Sequence, residues 1–462
     1  MHWVSITARS PQEALRATNR GEIKTAFRAA ELNRRILLVN FDFPPLQGPG
    51  IWRTLGFATH LPPLGWEVSV FCSDRNTWHK RTEPGLLDRL PESVRIHRIK
   101  GRSAGAIAGR FLPKRLVLAW RKLLPNPLIF PTMKLAAKAM IHAPRDPFVV
   151  LTSGPPHISH LVGLILKLTR RCIWVADFRD LWMDDPIQAW PGWYQPQLGR
   201  AAERAVLRHA DAVVTVSQTW AALLCGRTSG RVSLIRNASD TDEGSLPAPE
   251  RPWPCGDRVL LFAGTPQRNN TTDEFWLGIR KYLDTLPAGQ TPIRFVFLGL
   301  DPEIRNTVVR MGIADRIEDL GPQPQERAAA LLRGADASLI PIKAAGTPAS
   351  RGTIPAKIYL AVTLGKPIVL LADADSEVAA LLAGYPHTFA PSDDPDAIAA
   401  ALHRFAGEPR VSADPSPPRE LVGWSREVAA AALDRLIGDL HPAFAPAPAV
   451  ADLLPEPELP PR

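Results

Sequence analysis

Cysteine is scarce in this chain. The 462 residues hold four, Cys72, Cys172, Cys225 and Cys255, and no two form a CxxC pair. That usage excludes a disulfide framework and a zinc-finger site and fits a reducing compartment. Long apolar runs are missing as well: no stretch approaches the roughly 18–20 residues a membrane span requires. The first 34 residues are polar, mixed in charge and lack an apolar h-region, so they do not read as a secretory signal. A cytoplasmic protein is expected. Acidic residues disappear altogether from Ser93 to Arg145, a window that carries twelve Lys or Arg. Bulky apolar residues interleave them in FLPKRLVLAWRKLLPNPLIF. That mixture suits an anionic membrane surface, with a solvated basic face as the plainer alternative. Zinc-finger, helix-turn-helix and aromatic RNA-binding motifs are lacking, which sets nucleic acid aside despite a net charge of +9.

What is present is a repeated α/β grammar. Apolar content of 45% and charged content of 22% are those of a globular protein long enough for two or three domains. Short runs rich in Val, Ile and Leu predict strands at 35–40, 66–72, 94–99, 148–153, 173–178 and 212–217, separated by helical patterns. Such runs suit strands buried on both faces of a parallel sheet. A polar, Pro-rich break at 239–257 reads as a linker. The grammar then restarts, with strands predicted at 259–264, 293–299, 337–342 and 367–372. Two doubly wound, Rossmann-like domains facing a cleft follow. The expected segments are an N-terminal extension (1–34), a first domain (35–238), the linker (239–257), a second domain (258–406), a helical segment (407–440) and a Pro-rich disordered tail (441–462).

One turn carries a chemical question. In NFDFPPLQGPGIWR, Gly48 and Gly50 stand between the first strand and a helix. Side chains are absent where the chain turns, and the free amides of the next helix point into the turn. The pattern suits a phosphate, or a tight turn that binds nothing.

Five motifs in order carry a resemblance: ILLVNFDFPPLQGPGIWRTLGFATHLPPLGWEVSVFCS, LTSGPPHISHLVG, WVADFRDLW, ADAVVTVS and IPAKIYLAVTLGKPIV. Over residues 35–405 the chain resembles a bacterial family 4-type glycosyltransferase of GT-B architecture. The resemblance implies a retaining, metal-independent enzyme with no cofactor. It would move a sugar from a nucleotide-sugar co-substrate, held mainly by the second domain, to an acceptor held mainly by the first. The implied acceptor is a lipid-linked or cell-surface glycan, in keeping with peripheral contact of residues 93–145 with the inner face of the plasma membrane.

The resemblance also implies roles. Gly48 and Gly50 match a glycine loop near the donor diphosphate. His157 matches a position that reaches the transferring sugar, with His160 one helical step on; a packing role is the alternative for both. In DFRDLW, Asp180 would accept hydrogen bonds from the acceptor and Arg179 would meet phosphate, or Asp177 and Arg179 would pair internally to shape the loop. Arg53 faces the cleft or is solvated. Arg268, after the small turn of Gly264 and Thr265, and Lys357 would hold diphosphate charge, which develops as the sugar departs. Ser376 and Glu377 match a helix start, with a simple cap as the alternative. His157 and Asp180 are thus the catalytic candidates, Gly48, Gly50, Arg268 and Lys357 the donor contacts, and Arg179 the acceptor contact.

Several positions depart from the family pattern. Leu360 stands where a glutamate usually holds the nucleotide ribose. Gly352 stands where a second acid is common. NASD (237–240) replaces Asn-Gly-x-Asp, and Pro131-Thr132 replaces Pro-Asp. The departures leave two alternatives beside an active transferase: a non-catalytic GT-B-fold protein that partners another transferase at the membrane, and an epimerase. A carboxylate-poor donor motif argues against the epimerase.

Overall fold

The computed structural model describes residues 34–46, 48–74, 82–100, 126, 128–185, 192–239, 247–264, 266, 270–343, 345–410 and 425–445. The N-terminal extension to residue 33, most of the basic window (101–125 and 127), Asp240, Thr265, Arg268 and the tail beyond 445 lie outside the described residues.

Two parallel sheets organise the chain. The first contains β1 (Arg34–Val39), β2 (Trp66–Ser73), β3 (Arg95–Ile99), β4 (Phe148–Gly154), β5 (Cys172–Phe178), β6 (Ala212–Thr215) and β7 (Arg231–Leu234), in the order β3-β2-β1-β4-β5-β6-β7. The second contains β8 (Val259–Phe262), β9 (Arg294–Phe297), β10 (Ile317–Asp319), β11 (Ala337–Pro341), β12 (Ile368–Leu371) and β13 (His387–Ala390), in the order β10-β9-β8-β11-β12-β13. Every pairing is parallel, for example Ile36 with Val149 and Leu339 with Val369. Central strands are buried along their whole length, all seven residues of β4 among them, which is why their sequences are unbroken apolar runs. Both sheets reverse direction between their first and fourth strands. This is the doubly wound pattern, which opens a ligand crevice beyond the carboxyl ends of the central strands.

The helices are α1 (Pro49–His60), α2 (Ile129–His142), α3 (His160–Thr169), α4 (Gln195–His209) and α5 (Gln218–Cys225) in the first domain. The second carries α6 (Asp273–Asp284), α7 (Pro302–Arg310), α8 (Gln325–Gly334), α9 (Pro348–Arg351), α10 (Ala356–Thr363), α11 (Glu377–Leu381) and α12 (Pro395–Gly407). The last helix, α13 (Arg426–Leu440), returns to the first. In the first domain, α2 to α5 cover one face of the sheet, while α1 and α13 cover the other.

Helix α13 is fastened at several points. Ala430, Leu433 and Ile437 bury their side chains in one cluster with Phe57 and Ala58 of α1 and Leu61 just after it. Asp434 accepts from Trp66 Nε1 at 2.8 Å and pairs with Arg34. The Arg34 guanidinium lies over the Trp66 ring, 4.3 Å from its centre. Gly56 lets the two helices meet closely, because a β-carbon there would stand 2.9 Å from Arg426 Cδ. So the two domains are joined by two chain crossings, one after β7 and one after α12.

Candidate active site

The cleft is built where the carboxyl ends of β1, β4 and β5 meet those of β8 and β11. Its floor is a buried ion pair. Arg53, on α1, donates from Nε to Asp177 Oδ2 at 2.9 Å and from Nη2 to Asp177 Oδ1 at 2.9 Å. Its Nη1 donates to the Arg236 carbonyl at 3.0 Å, and Ser153 Oγ donates to Asp177 Oδ2 at 2.8 Å. Two sequence expectations are corrected by this geometry. Arg53 is buried in this pair, neither solvated nor free to meet a ligand, and the internal partner of Asp177 is Arg53 rather than Arg179.

Arg179 is held elsewhere. It is buried, and its Nε donates to the Gly154 carbonyl at 2.9 Å and its Nη2 to the Pro155 carbonyl at 2.5 Å. Its Nη1 is buried with no hydrogen-bond partner. A β-carbon on Gly50 would stand 1.8 Å from that Nη1 and 2.4 Å from Cζ. Glycine at 50 therefore makes room for a fixed guanidinium. The helix mouth itself offers fewer amides than the sequence suggests: Pro49 has no N–H, and the Ile51 amide already donates to the Gly48 carbonyl at 3.1 Å. Burial is the main influence that pushes the Arg179 guanidinium pKa down, against the favourable charges of Asp180 and Asp177. A desolvated cation with one open donor is suited to an anion. Asp180, next in sequence, is exposed at the lip of the cleft.

His157 and His160 lie behind this point, at the start of α3. Both rings face the bare α-carbon of Gly154, whose hypothetical β-carbon would be 2.6 Å from His157 Nδ1 and 2.9 Å from His160 Nε2. His157 stacks on Trp182 with centroids 5.5 Å apart and planes at 15°. Its Nδ1 is buried without a partner. Burial pushes its pKa well below the ordinary histidine value, with His160 and Arg179 adding repulsion and a backbone hydrogen bond to Leu181 opposing. His160 is fully buried and fixed by Thr152, Nδ1 to Oγ1 2.8 Å, where Thr152 also accepts from Trp174 Nε1 at 2.9 Å. Burial, then the charge of Arg179, pushes the His160 pKa down to about 3. Both imidazoles are therefore neutral near pH 7.

From the second domain, Lys357 opens α10. Its Nζ sits 3.7 Å from the centre of the Phe262 ring. It has no hydrogen-bonding or ionic partner among the described residues. Burial pushes its pKa down to about 7. Gly264, at φ +136°, lies against it: a β-carbon there would be 2.9 Å from Lys357 Cε. Leu360 packs against the second domain's core from one turn along the same helix.

The domains are latched beside the cleft by contacts that sequence reading did not anticipate. Glu377 accepts from the amides of Gln218 and Thr219, both at 2.9 Å, at the mouth of α5. It also pairs with Arg236 at 3.0 Å in a nearly dry setting. So Glu377 caps a helix of the other domain, and Ser376, at the start of its own helix, makes no side-chain cap. Trp220 donates from Nε1 to the Ala349 carbonyl at 2.8 Å. Its indole fills the space over Gly352, where a β-carbon would come within 2.5 Å of Trp220 Cδ1. Tyr359 lies beside Arg236, Arg53 and Glu377, and burial pushes its phenol up to about 12. Glu377 lies 141 residues from Arg236 and 159 from Gln218, so no local pattern signals these contacts.

A cavity of about 480 Å³ lies away from the cleft, at the amino ends of β8, β11, β12 and β13. Two of its three arginines are engaged in hydrogen bonds or ion pairs, Arg251 donating to the Gly334 carbonyl at 2.6 Å and Arg410 pairing with Asp336 at 2.9 Å, while the third, Arg258, lies over the Phe405 ring, 4.4 Å from its centre.

Comparison with known proteins fits this architecture. The model of the glycosyl transferase 4-like domain matches residues 50–238. A D-inositol 3-phosphate glycosyltransferase from Nocardiopsis dassonvillei is 26% identical over 257 residues, 51% of this chain and 57% of that protein. The matched part thus spans little more than half of that relative. Among solved structures, a sucrose-phosphate synthase from Thermosynechococcus elongatus superposes with a TM-score of 0.63 at 17% identity, over 88% of this chain and 99% of that one. The Anabaena protein HepE, solved in complex with UDP-glucose, gives a TM-score of 0.57 at 13% identity, over 88% and 99%. Residues 50–238 thus match the glycosyl transferase 4-like domain, and the two parallel-sheet domains together share the GT-B fold of these solved structures.

Proposed function

We propose that this protein is a retaining glycosyltransferase. It moves a sugar from a nucleotide-sugar donor to a lipid-linked or cell-surface glycan acceptor at the inner face of the plasma membrane, without a metal. The observation that carries the reading is a pair of open cations at the cleft. Arg179 Nη1 has no partner beside Gly50, and Lys357 has none beside Gly264. Each stands next to a glycine, so backbone and cation are both within reach of a diphosphate. Charge that develops on the diphosphate as the sugar departs falls between them, and stabilising it is the main catalytic demand. Arg268, outside the described residues, would add to this charge. Neutral His157 offers an unpartnered ring nitrogen to a sugar hydroxyl. Asp180, at the lip, receives the acceptor hydroxyl.

The test is a thermal-shift panel with UDP, GDP, ADP and their sugar conjugates. A ligand held only by the folded state at 100 times its Kd adds about 2.7 kcal/mol. One nucleotide giving a clear shift supports the reading and names the donor class. No shift with any of them at saturating ligand removes it.

A second reading has a specific observation behind it. Leu360 offers no hydrogen-bond acceptor, and the Trp220 indole fills the space over Gly352. Both acids expected of the donor pocket are therefore replaced by apolar packing. On this reading the protein binds at the membrane as a non-catalytic partner of another transferase. Nucleotide binding without turnover of any sugar conjugate would favour it.

A further inference from the structure

Three helices of the first domain turn apolar side chains outward. Helix α2 packs against α3, and α3 against α4, so the three lie side by side on one face of the first sheet. An ordinary surface helix buries its apolar stripe and shows polar residues to water. Here α2 buries Leu135, Ala136 and Ala139, yet its outer stripe is Phe130, Met133, Lys134, Ala137 and Ile141. Ile141 is 80% exposed. On α3, Leu168 is 64% exposed, while Leu161, Leu164 and Ile165 are half-buried at the edge of the core. Trp193, just before α4, is 85% exposed, and Leu198 follows on its first turn. Large apolar side chains exposed together on adjacent helices mark an interaction surface.

Lys167 of α3 is half-buried and paired with Asp211; the exposed charges of the three helices and of the turn after α3 have one sign. Lys134, Arg170, Arg171, Arg200, Arg204 and Arg208 are all exposed. The only acid within the three helices is Glu203, and it is buried. A second copy of this face would set cations against cations, which disfavours a two-fold homodimer. Long cationic side chains around an apolar centre match a surface with anionic headgroups over hydrocarbon.

We infer that the outer face of α2, α3 and α4 docks on an anionic lipid bilayer. The helices run antiparallel to the strands, so their amino ends, with Phe130, Met133 and Trp193, stand on the cleft side of the domain. Docking brings the lip that carries Asp180 toward the membrane, where a lipid-linked acceptor is presented. That consequence rests on the transferase reading; the docking itself does not.

The experiment is co-sedimentation of the full chain with phosphatidylcholine vesicles, with and without phosphatidylglycerol, at low and high salt. Binding is expected only with the anionic lipid and should weaken as salt screens it. The charge-reversed variant Lys134→Glu/Arg200→Glu/Arg204→Glu should lose partitioning by at least roughly tenfold, given the contribution of each cation near such a surface. The variant Ile141→Gln/Leu168→Gln/Trp193→Gln should also lose it. Both variants should keep the wild-type response to nucleotides, which separates failure of docking from failure of the transferase reading. Equal binding to neutral and anionic vesicles, no binding to either, or variants that partition like wild type would each overturn the inference. A dimer in solution that the Trp193 variant dissociates would overturn it in favour of a second copy.

Discussion

Arg53 and Asp177 share two hydrogen bonds of 2.9 Å across 124 residues of sequence, with both side chains almost fully out of water. The pair joins α1, which carries the glycine turn, to β5, whose end carries Arg179 and Asp180. Ser153 and the Arg236 carbonyl satisfy the remaining polar atoms, so the charges are matched and locked. Removing one partner leaves the other buried and uncompensated.

Arg53→Ala and Asp177→Ala should therefore each lower unfolding stability by about 3–5 kcal/mol. Replacing both with apolar residues should lower it by much less than the sum, because no lone charge is then buried. Denaturant titration of the three variants measures this. Single variants within 1 kcal/mol of wild type would mean that the pair does not hold the turn to the sheet.

Gly50→Ala places a β-carbon inside the Arg179 guanidinium, so the arginine must leave its two carbonyls. Stability should fall by about 1–3 kcal/mol, as in other overpacked sites. Nucleotide affinity should fall with it. In an Arg179→Ala background the same change should cost little, since the collision is gone. A full penalty in both backgrounds would show that Gly50 answers to something other than Arg179.

Lys357 gives a pH signature with a definite sign. Its pKa is near 7 in the folded chain and 10.5 when unperturbed. Between those values the unfolded chain binds the extra proton, so stability rises with pH across that window. Lys357→Met should flatten the rise. An anionic ligand beside Lys357 restores the charged form, so nucleotide binding near pH 8 should take up a proton. Calorimetry in buffers of different ionisation enthalpy detects this as a heat that depends on the buffer. Identical heats in all buffers would place the ligand away from Lys357. His157 and His160 should contribute no titration to binding between pH 6 and 8, since both are held below that range.

Glu377 closes the cleft from the second domain. Glu377→Ala removes a cap on two amides and leaves Arg236 unpaired in a dry interface, so the open form should gain population. Small-angle scattering should report a larger radius of gyration, and Trp220→Ala should act in the same direction. Glu377→Gln keeps an acceptor for the amides and should open the protein less. Scattering curves that overlay for all of these would show that the latch does not set the domain angle.

Much of the fold was readable from residue types. Strands such as β4 and β12 are runs of Val, Ile and Leu because both faces of a central parallel strand are covered. The strands that escaped notice are β7, β10 and β13, of three or four residues each. They lie at or beside sheet edges, and RVSL, IED and HTFA show no apolar run. At the site, the glycine turns were legible because glycine has few other reasons to recur at a strand end. The partners were not. Whether Arg53 meets water, a ligand or Asp177 is decided by a contact 124 residues away. The same holds for Glu377, whose sequence context suggests its own helix while its oxygens serve another.

The return of α13 has a mechanical consequence. Two strands of chain cross from one domain to the other, and the second is anchored by a helix that Arg34, Trp66 and Asp434 clamp to the first sheet. A body tied to another at a single point swivels in three directions. Tied at two, it has a narrower range of orientations to explore, so residues on the two lips of the gap find one another again with less search.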